Sequence, residues 1–568
     1  MTTNYIPTKL NVLPHGKLTS GGLLHLSEIM SPKPASNVSD EASAAVEEAL
    51  HIFQIARSAL HRASMTPQDV IYVHLYLSKI AHFALINQHY RAFFGAELPP
   101  SRSCVAIGEG VIPGNRRVLL DLCAQKSSGK AMRSNDGGTK QLLHSSGNLL
   151  REVLHVQGIS YWAPVCVGPY SQANTVRGGM TMLAGQIGLD PPTMALVSRG
   201  ENNRVESCKA QLRQAWRNAA AVLDAQSNAT LDHCLGALVY VNSDVMMPSN
   251  DDNNDAPRQF LPWNEVEAIS AEAIAQNGGI LSGFADGQGS SNDGGEGEFD
   301  GYEDEETAME MQKQRAAVVD MDDDDHSKPK FSIPILTVAI PEMPMGALSE
   351  VELVCVTQKA FKGVGVATVE LESSKVSSSL SSRSLLQMGN AQIGGIAWDC
   401  GYNYCDDDDS MKMESGEQEQ PCYCNAEING SVRFAKGCCA VAWIKALLLS
   451  HDNGGNDEQD MAGMMELELI FPELLKKVKN AAHVAGMTPD DVLHIRLYYN
   501  MSHLNDDGVR LRSAFNAAIA SNFGKAAPAC SIIPVVMESD VVFAAQCIVC
   551  NLVHMESEMW ARYGRSSN

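Results

Sequence analysis

Apolar and polar positions along this chain alternate between two periods. Val46, Leu50, Phe53 and Leu60 recur at helical spacing, and the next segment, Met65 to Leu77 (MTPQDVIYVHLYL), switches to the alternation of a strand. A second helical stretch then closes at Gly95, and a further strand resumes after Pro100. The same succession returns near the other end of the chain. Leu474, Leu475, Val478 and Ala482 lead into Met487 to Tyr499 (MTPDDVLHIRLYY), which matches the first segment at seven of thirteen positions, and the following helix ends at Gly524. Two such segments imply copies of one structural unit: helix, turn, alternating strand, helix, strand.

Three units are expected from this pattern, in keeping with the roughly three or four domains that the length suggests. The first covers residues 20–125 and ends in a polar linker, 126–150. The second, 153–356, opens with a strand-rich segment punctuated by Gly-Pro and Gly-Gly. It continues through a helix from Glu206 to Ala225 and a strand from Cys234 to Asn242, and resumes after an interruption at Phe331 to Val356. The third, 357–553, begins without a clear pattern and ends in the repeat copy. Strands mixed with helices in each unit predict an α+β fold.

Charge changes this picture in one place. The net charge is −24, but residues 251–325 hold 21 acidic and 3 basic side chains, so the remainder is close to balanced. No basic stripe offsets the acids, which excludes a general grip on nucleic acid. The Gly- and Ser-rich acidic stretch, about 247–328, is expected to be a disordered insertion. The longest apolar run, Ala440 to Leu449, is too short to span a bilayer, and the first residues lack the apolar core of a signal peptide. These features predict a soluble cytoplasmic protein whose fifteen cysteines are reduced thiols.

GPYSQA (Gly168 to Ala173) and AGQIGLDPPT (Ala184 to Thr193), with FALINQHYRAFFG and PPSRSCV (Pro99 to Val105) in the first unit, carry a resemblance. They resemble the YjgF/RidA family of small trimeric enamine/imine deaminases, once called L-PSP endoribonucleases. More specifically, VLHVQGISYWAPVCVGPYSQA and LAGQIGLDPPTMAL are similar to the tandem C-terminal region of the eukaryotic diphthine–ammonia ligase family. The resemblance implies tandem YjgF/RidA-like, chorismate-mutase-like units, each a mixed sheet with two helices on one face. It also implies a role in diphthamide formation on elongation factor 2, with ATP and ammonium used by the full-length family. That ATP chemistry belongs to a PP-loop domain with an S-G-G-x-D-S signature. Ser20-Gly21-Gly22 lacks the following Asp-Ser, and Ser127 to Lys130 follows no strand, so this chain alone is expected not to bind ATP.

By the deaminase motifs, Arg102 matches the arginine that grips a substrate carboxylate, work that a guanidinium fork suits. Cys104 and Asn87 match the cysteine two residues on and the asparagine of the preceding helix. Leu119 stands where the first unit should carry the glutamate that positions water, with Asp121 two residues later. The second unit shows the reverse: Tyr170 and Glu350 match, while Ile333 or a neighbour takes the arginine position. In the third, Cys530 takes it. The resemblance therefore implies a composite site in which Arg102, Cys104 and Asn87 meet Tyr170 and Glu350, provided the units pack as a trimer within one monomeric chain.

Other constellations are expected to be structural. Cys400, Cys405, Cys422 and Cys424 have unusual spacings for zinc, so no metal is expected. His74, His155 and His494 have no carboxylate at motif spacing, and Trp162 reads as a core or interface residue. Two alternatives to a diphthamide role stay open: a stand-alone imine deaminase, and a non-catalytic scaffold for a separate PP-loop ATP-binding subunit.

Overall fold

The computed structural model describes residues 15–551 apart from internal stretches, of which the longest are 279–332, 378–424 and 449–466. Three sheets emerge. The first joins β1 (His15–Leu18), β2 (Leu23–Met30), β3 (Val70–Leu77), β4 (Ser101–Ala106) and β5 (Val118–Gln125) in the order β1-β2-β5-β3-β4. The second contains β6 (Ala131–Ser134), β7 (Thr139–Leu143), β8 (Leu149–Leu154), β9 (Ala173–Val176), β10 (Met180–Leu183), β11 (Gln186–Ile187), β12 (Cys234–Asn242), β13 (Ile335–Ile340) and β14 (Ser349–Val356). Its order runs β13-β12-β14-β10-β9-β8-β7-β6, with β11 beside β14. The third is β15-β16-β17-β20-β18-β19, formed by β15 (Val366–Ser377), β16 (Asn425–Ala435), β17 (Cys439–Leu448), β18 (Val492–Asn500), β19 (Ala529–Val535) and β20 (Val541–Cys550).

The three sheets share one arrangement. In each, the last strand lies antiparallel to a central strand, which pairs in parallel with the strand after it: β5-β3-β4, β14-β12-β13 and β20-β18-β19. Parallel neighbours need a crossover. Helices supply it: α2 (Phe83–Phe94), α4 (Trp263–Gly278) and α6 (Val509–Phe523) follow the central strands, while α1 (Glu41–Arg62), α3 (Arg204–Ser227) and α5 (Leu467–Val484) precede them. The Thr-Pro-x-Asp of the repeat is a turn that launches the strand. Asp69 accepts the Thr66 N–H at 2.7 Å, and Asp491 accepts the Thr488 N–H at 2.9 Å. Thr230 and His233 build the same turn in the second unit, with the Thr230 N–H 3.2 Å from His233 Nδ1.

Several expectations are corrected. The buried face of α1 is built from Ala45, Ala49, Ile52, Phe53, Ala56 and Leu60, whereas Leu50 is exposed, because the small alanines let the helix lie close on the sheet. The stretch 126–150 is not only a linker, since β6, β7 and β8 pair there as an antiparallel ladder. The insertion expected to be disordered contains α4, which buries Val266, Ile269 and Ala273 at helical spacing. Residues 248–259 and 279–332, which take in most of that insertion, lie outside the described residues, as do Ser127 to Lys130, Ser20-Gly21 and the cysteines at 400, 405, 422 and 424. Among the described residues no cluster could hold a metal, and no helix is long and apolar enough to cross a membrane.

Helices cover one face of each sheet, and the other faces pack on one another. Tyr76, Val105 and Leu119 of the first unit meet Leu238, Tyr240 and Val338 of the second and Trp443, Tyr498 and Ile533 of the third. Two buried arginines and a half-buried lysine close the ring head to tail. Arg151 donates to the Gln68 and Leu98 carbonyls of the first unit at 3.0 Å each. Arg433 donates to the Cys234 and Asp232 carbonyls of the second at 2.6 and 2.7 Å, and Lys17 donates to the Ala526 carbonyl of the third at 2.7 Å. Each is a charge-assisted bond to a carbonyl.

Candidate functional site

The outer edge of β4 is stitched to the second unit. The Ser171 N–H donates to the Pro100 carbonyl at 3.1 Å, the Gly185 N–H to the Arg102 carbonyl at 3.2 Å, and Ser101 Oγ to the Met182 carbonyl at 2.8 Å. Arg102 stands in this seam, only 3% exposed. Its Nη1 donates to Asn87 Oδ1 at 2.8 Å. The guanidinium carbon lies 4.5 Å from the ring centre of Tyr90, 4.9 Å from Phe83 and 5.1 Å from Tyr170, so aromatic faces hold the cation where water is scarce. Its Nη2 is buried and has no hydrogen-bond partner. Leaving a buried charged donor unpaired is costly.

Glycine is required at two points around this group. A Cβ on Gly168 would sit 2.7 Å from Arg102 Nη2, and one on Gly185 would sit 1.7 Å from Glu350 Oε1. The approach of Glu350 to Gly185 places the carboxylate in the same seam. Burial pushes the Glu350 carboxyl up to about 8, and the neighbouring Glu352 adds to the effect, while Arg102 and the Ser103 hydroxyl oppose it. Cys104, beside both Arg102 and Glu350, is driven up to about 12 by burial, so its thiol stays protonated and unreactive at neutral pH. Tyr170 is likewise raised by burial.

The five residues singled out from the sequence, Asn87, Arg102, Cys104, Tyr170 and Glu350, are thus gathered at the seam between the first two units. The registers place their counterparts. Leu119 faces Tyr76 and Glu350 faces Tyr240 in the same relation, with Ala544 facing Tyr498 in the third unit. Arg102 faces Val73 as Cys530 faces Ile495. In the second unit the corresponding pair is Ala237 and Ile335, so the arginine position is Ile335 and not Ile333, which precedes the strand.

Some residues missed by motif reasoning also matter. His74 does meet a carboxylate, 3.3 Å from Glu352 Oε2, but the two are far apart in sequence and no motif spacing could reveal it. His494 lies 2.8 Å from Ser531 Oγ, and His155 lies 3.2 Å from Gln157 Nε2. Trp162 is not a core residue. It is 41% exposed, beside Tyr161 at 77%, on the loop that leads to Gly168.

No family model matches the chain. Two curated diphthine–ammonia ligases are similar to it: one from Saccharomyces cerevisiae is 27% identical over 296 residues, and one from Schizosaccharomyces pombe is 29% identical over 177 residues. These alignments take in 48% and 31% of this chain but 38% and 24% of the two proteins, so the chain spans well under half the length of the curated relatives it matches. A RutC family protein of Aquifex aeolicus is 44% identical over 79 residues, 14% of this chain and 55% of that protein. Among solved structures, RidA from the Antarctic bacterium Psychrobacter sp. aligns with 19% identity and a TM-score of 0.18, over 35% of this chain and 95% of its own.

The fold is mixed α+β, with three sheets of like arrangement joined in one chain. Its curated relatives over the greater part of the matched sequence are diphthine–ammonia ligases.

Proposed function

We propose that this chain serves diphthamide formation on elongation factor 2 in the cytoplasm, as the RidA-like region of a diphthine–ammonia ligase, and that the seam between its first two units binds a carboxylate. Similarity to the two fungal ligases supports the first part. The unpartnered Nη2 of Arg102, buried and aimed past Gly168, carries the second. A carboxylate is the group amidated in the ligase reaction, and it suits a guanidinium whose other nitrogen is already fixed by Asn87. ATP and ammonium enter this proposal as reactants of the whole protein.

Deleting the gene and reading the modified histidine of elongation factor 2 by mass spectrometry tests the first part. Diphthine should accumulate in place of its amide, and the intact gene should restore the amide. An unchanged amide level in the deletion strain would overturn the reading.

A second reading is favoured by Glu350. An imine of a 2-oxo acid held by its carboxylate at Arg102 would present its carbon to water near a carboxyl group poised close to neutrality. Water adds to the C=N carbon as Glu350 takes one of its protons and returns it to the nitrogen; the carbinolamine hydroxyl then gives up the second proton to the nitrogen as the C–N bond breaks, leaving the ketone and ammonia. Coupled detection of pyruvate from 2-iminopropanoate tests this reaction; a rate equal to that without protein would remove it.

A further inference from the structure

The seam between the third and first units is already filled by the protein's own carboxylate. Met30 faces Leu119 in β2, as Ile187 faces Glu350 beside β14, so Glu28 holds the position that Gly185 holds in the second unit. Gly185 has no side chain, which leaves room for Glu350. Glu28 sits at a break in strand register with φ of +52°, a backbone region that glutamate rarely adopts. From there its side chain reaches into the third unit. Its Oε1 accepts the Ile532 N–H at 2.9 Å and also accepts from Arg512 Nη1. Arg512 Nη2 donates to the Ile532 carbonyl at 3.0 Å, and its Nε is buried without a partner.

The cation here has moved rather than vanished. Cys530 replaces the strand arginine, but Arg512 stands twelve residues before Gly524, as Phe83 stands twelve before Gly95. The Phe83 ring packs on the Arg102 guanidinium, so the two arginines reach neighbouring space from different elements. Ile532 follows Cys530 by two residues, as Cys104 follows Arg102. A guanidinium and a strand-edge N–H converge on one carboxylate oxygen, a complete binding arrangement for a small anion.

We propose that Glu28 is a tethered carboxylate occupying a latent carboxylate-binding pocket formed by Arg512 and the Ile532 N–H, and that its presence closes this seam to free ligands. The pocket, once vacated, takes small monocarboxylates of the size of pyruvate. The positional comparison rests on the reading of Arg102 as a carboxylate site, while the chemistry of the pocket stands on Arg512 alone.

Calorimetric titration of the full chain with pyruvate tests the inference. Glu28→Gly should add one binding site per chain relative to the unsubstituted protein, and the added site should disappear in Glu28→Gly/Arg512→Met. If the glycine variant fails to fold by near-ultraviolet circular dichroism, Glu28→Asn tolerates the same backbone and is too short to reach Arg512. A folded variant that gains no site overturns the proposal. The unsubstituted chain separates the two readings: if it binds no pyruvate and Glu28→Gly gains one site, the Arg102 reading falls and this one stands.

Discussion

Glu352 of the second unit and Arg496 of the third meet at 3.2 Å inside the core that all three units share. His74 of the first unit lies 3.3 Å from the other oxygen of Glu352, and Tyr240 Oη lies 3.1 Å from His74 Nε2. Arg496 Nη1 also donates to Tyr498 Oη at 3.3 Å and Gln546 Oε1 at 3.2 Å. Burial holds His74 well below its usual range, with Arg496 pushing the same way, so the histidine is neutral and the cluster balances one cation against one carboxylate.

Breaking this pair should unfold the chain more readily than breaking any surface pair. Arg496→Met leaves Glu352 buried without its cation and is expected to cost about 3–5 kcal/mol, whereas Arg496→Met/Glu352→Leu should recover most of the loss. Urea denaturation measures both. A single substitution costing under about 1 kcal/mol, the range of exposed pairs, would contradict the buried-pair assignment.

Arg102→Ala should abolish pyruvate binding at the first seam and any imine hydrolysis while changing the melting temperature little. Among the described residues the guanidinium makes one hydrogen bond, to Asn87, and carries an unpaired donor whose removal offsets part of the lost packing. Initial rates and a thermal melt on the same preparation check it.

The pH dependence follows from Glu350. Its folded value of about 8 lies above the usual carboxyl value of 4.5, so the folded state holds the extra proton between those limits. Its contribution to stability is therefore fully present below 4.5 and is lost as pH rises towards 8. Glu350→Gln should flatten the fall in stability over that window. If the carboxylate form takes the proton from water, kcat/KM for imine hydrolysis should rise with pH and level off above about 8. A profile that falls across this range would assign Glu350 the role of acid instead.

Light scattering should give the mass of one chain. Three units already close a ring through Arg151, Arg433 and Lys17, and short tethers favour pairing within a chain over pairing between chains. A mass of three chains would overturn this.

Much of the fold is legible where side chains repeat a local period. The Met65 and Met487 segments give away two units because the same turn residues, Thr66 with Asp69 and Thr488 with Asp491, start the same strand. The second unit hides its copy, since His233 does the work of the aspartate. The helix α4 is hidden for another reason: Val266, Ile269 and Ala273 are a thin apolar stripe inside a stretch dominated by acids. At the site, motif positions lead to Arg102 and Glu350. They do not lead to Glu352, His74 or Arg496, which come from three units and find one another only through tertiary packing. Glu28 is illegible for the same reason, because its partners Arg512 and Ile532 are brought beside it by ring closure.

Ring closure within one polypeptide also changes what a single substitution can do. In an assembly of three identical subunits, a codon change alters every seam at once, so a residue fatal at one seam is tested at all three. Here Gly185 and Glu28 are separate codons, and Arg102, Ile335 and Cys530 likewise. One seam can keep an open pocket, another can be sealed by an internal carboxylate, and the third can be given over to packing, each without disturbing the chemistry of the others.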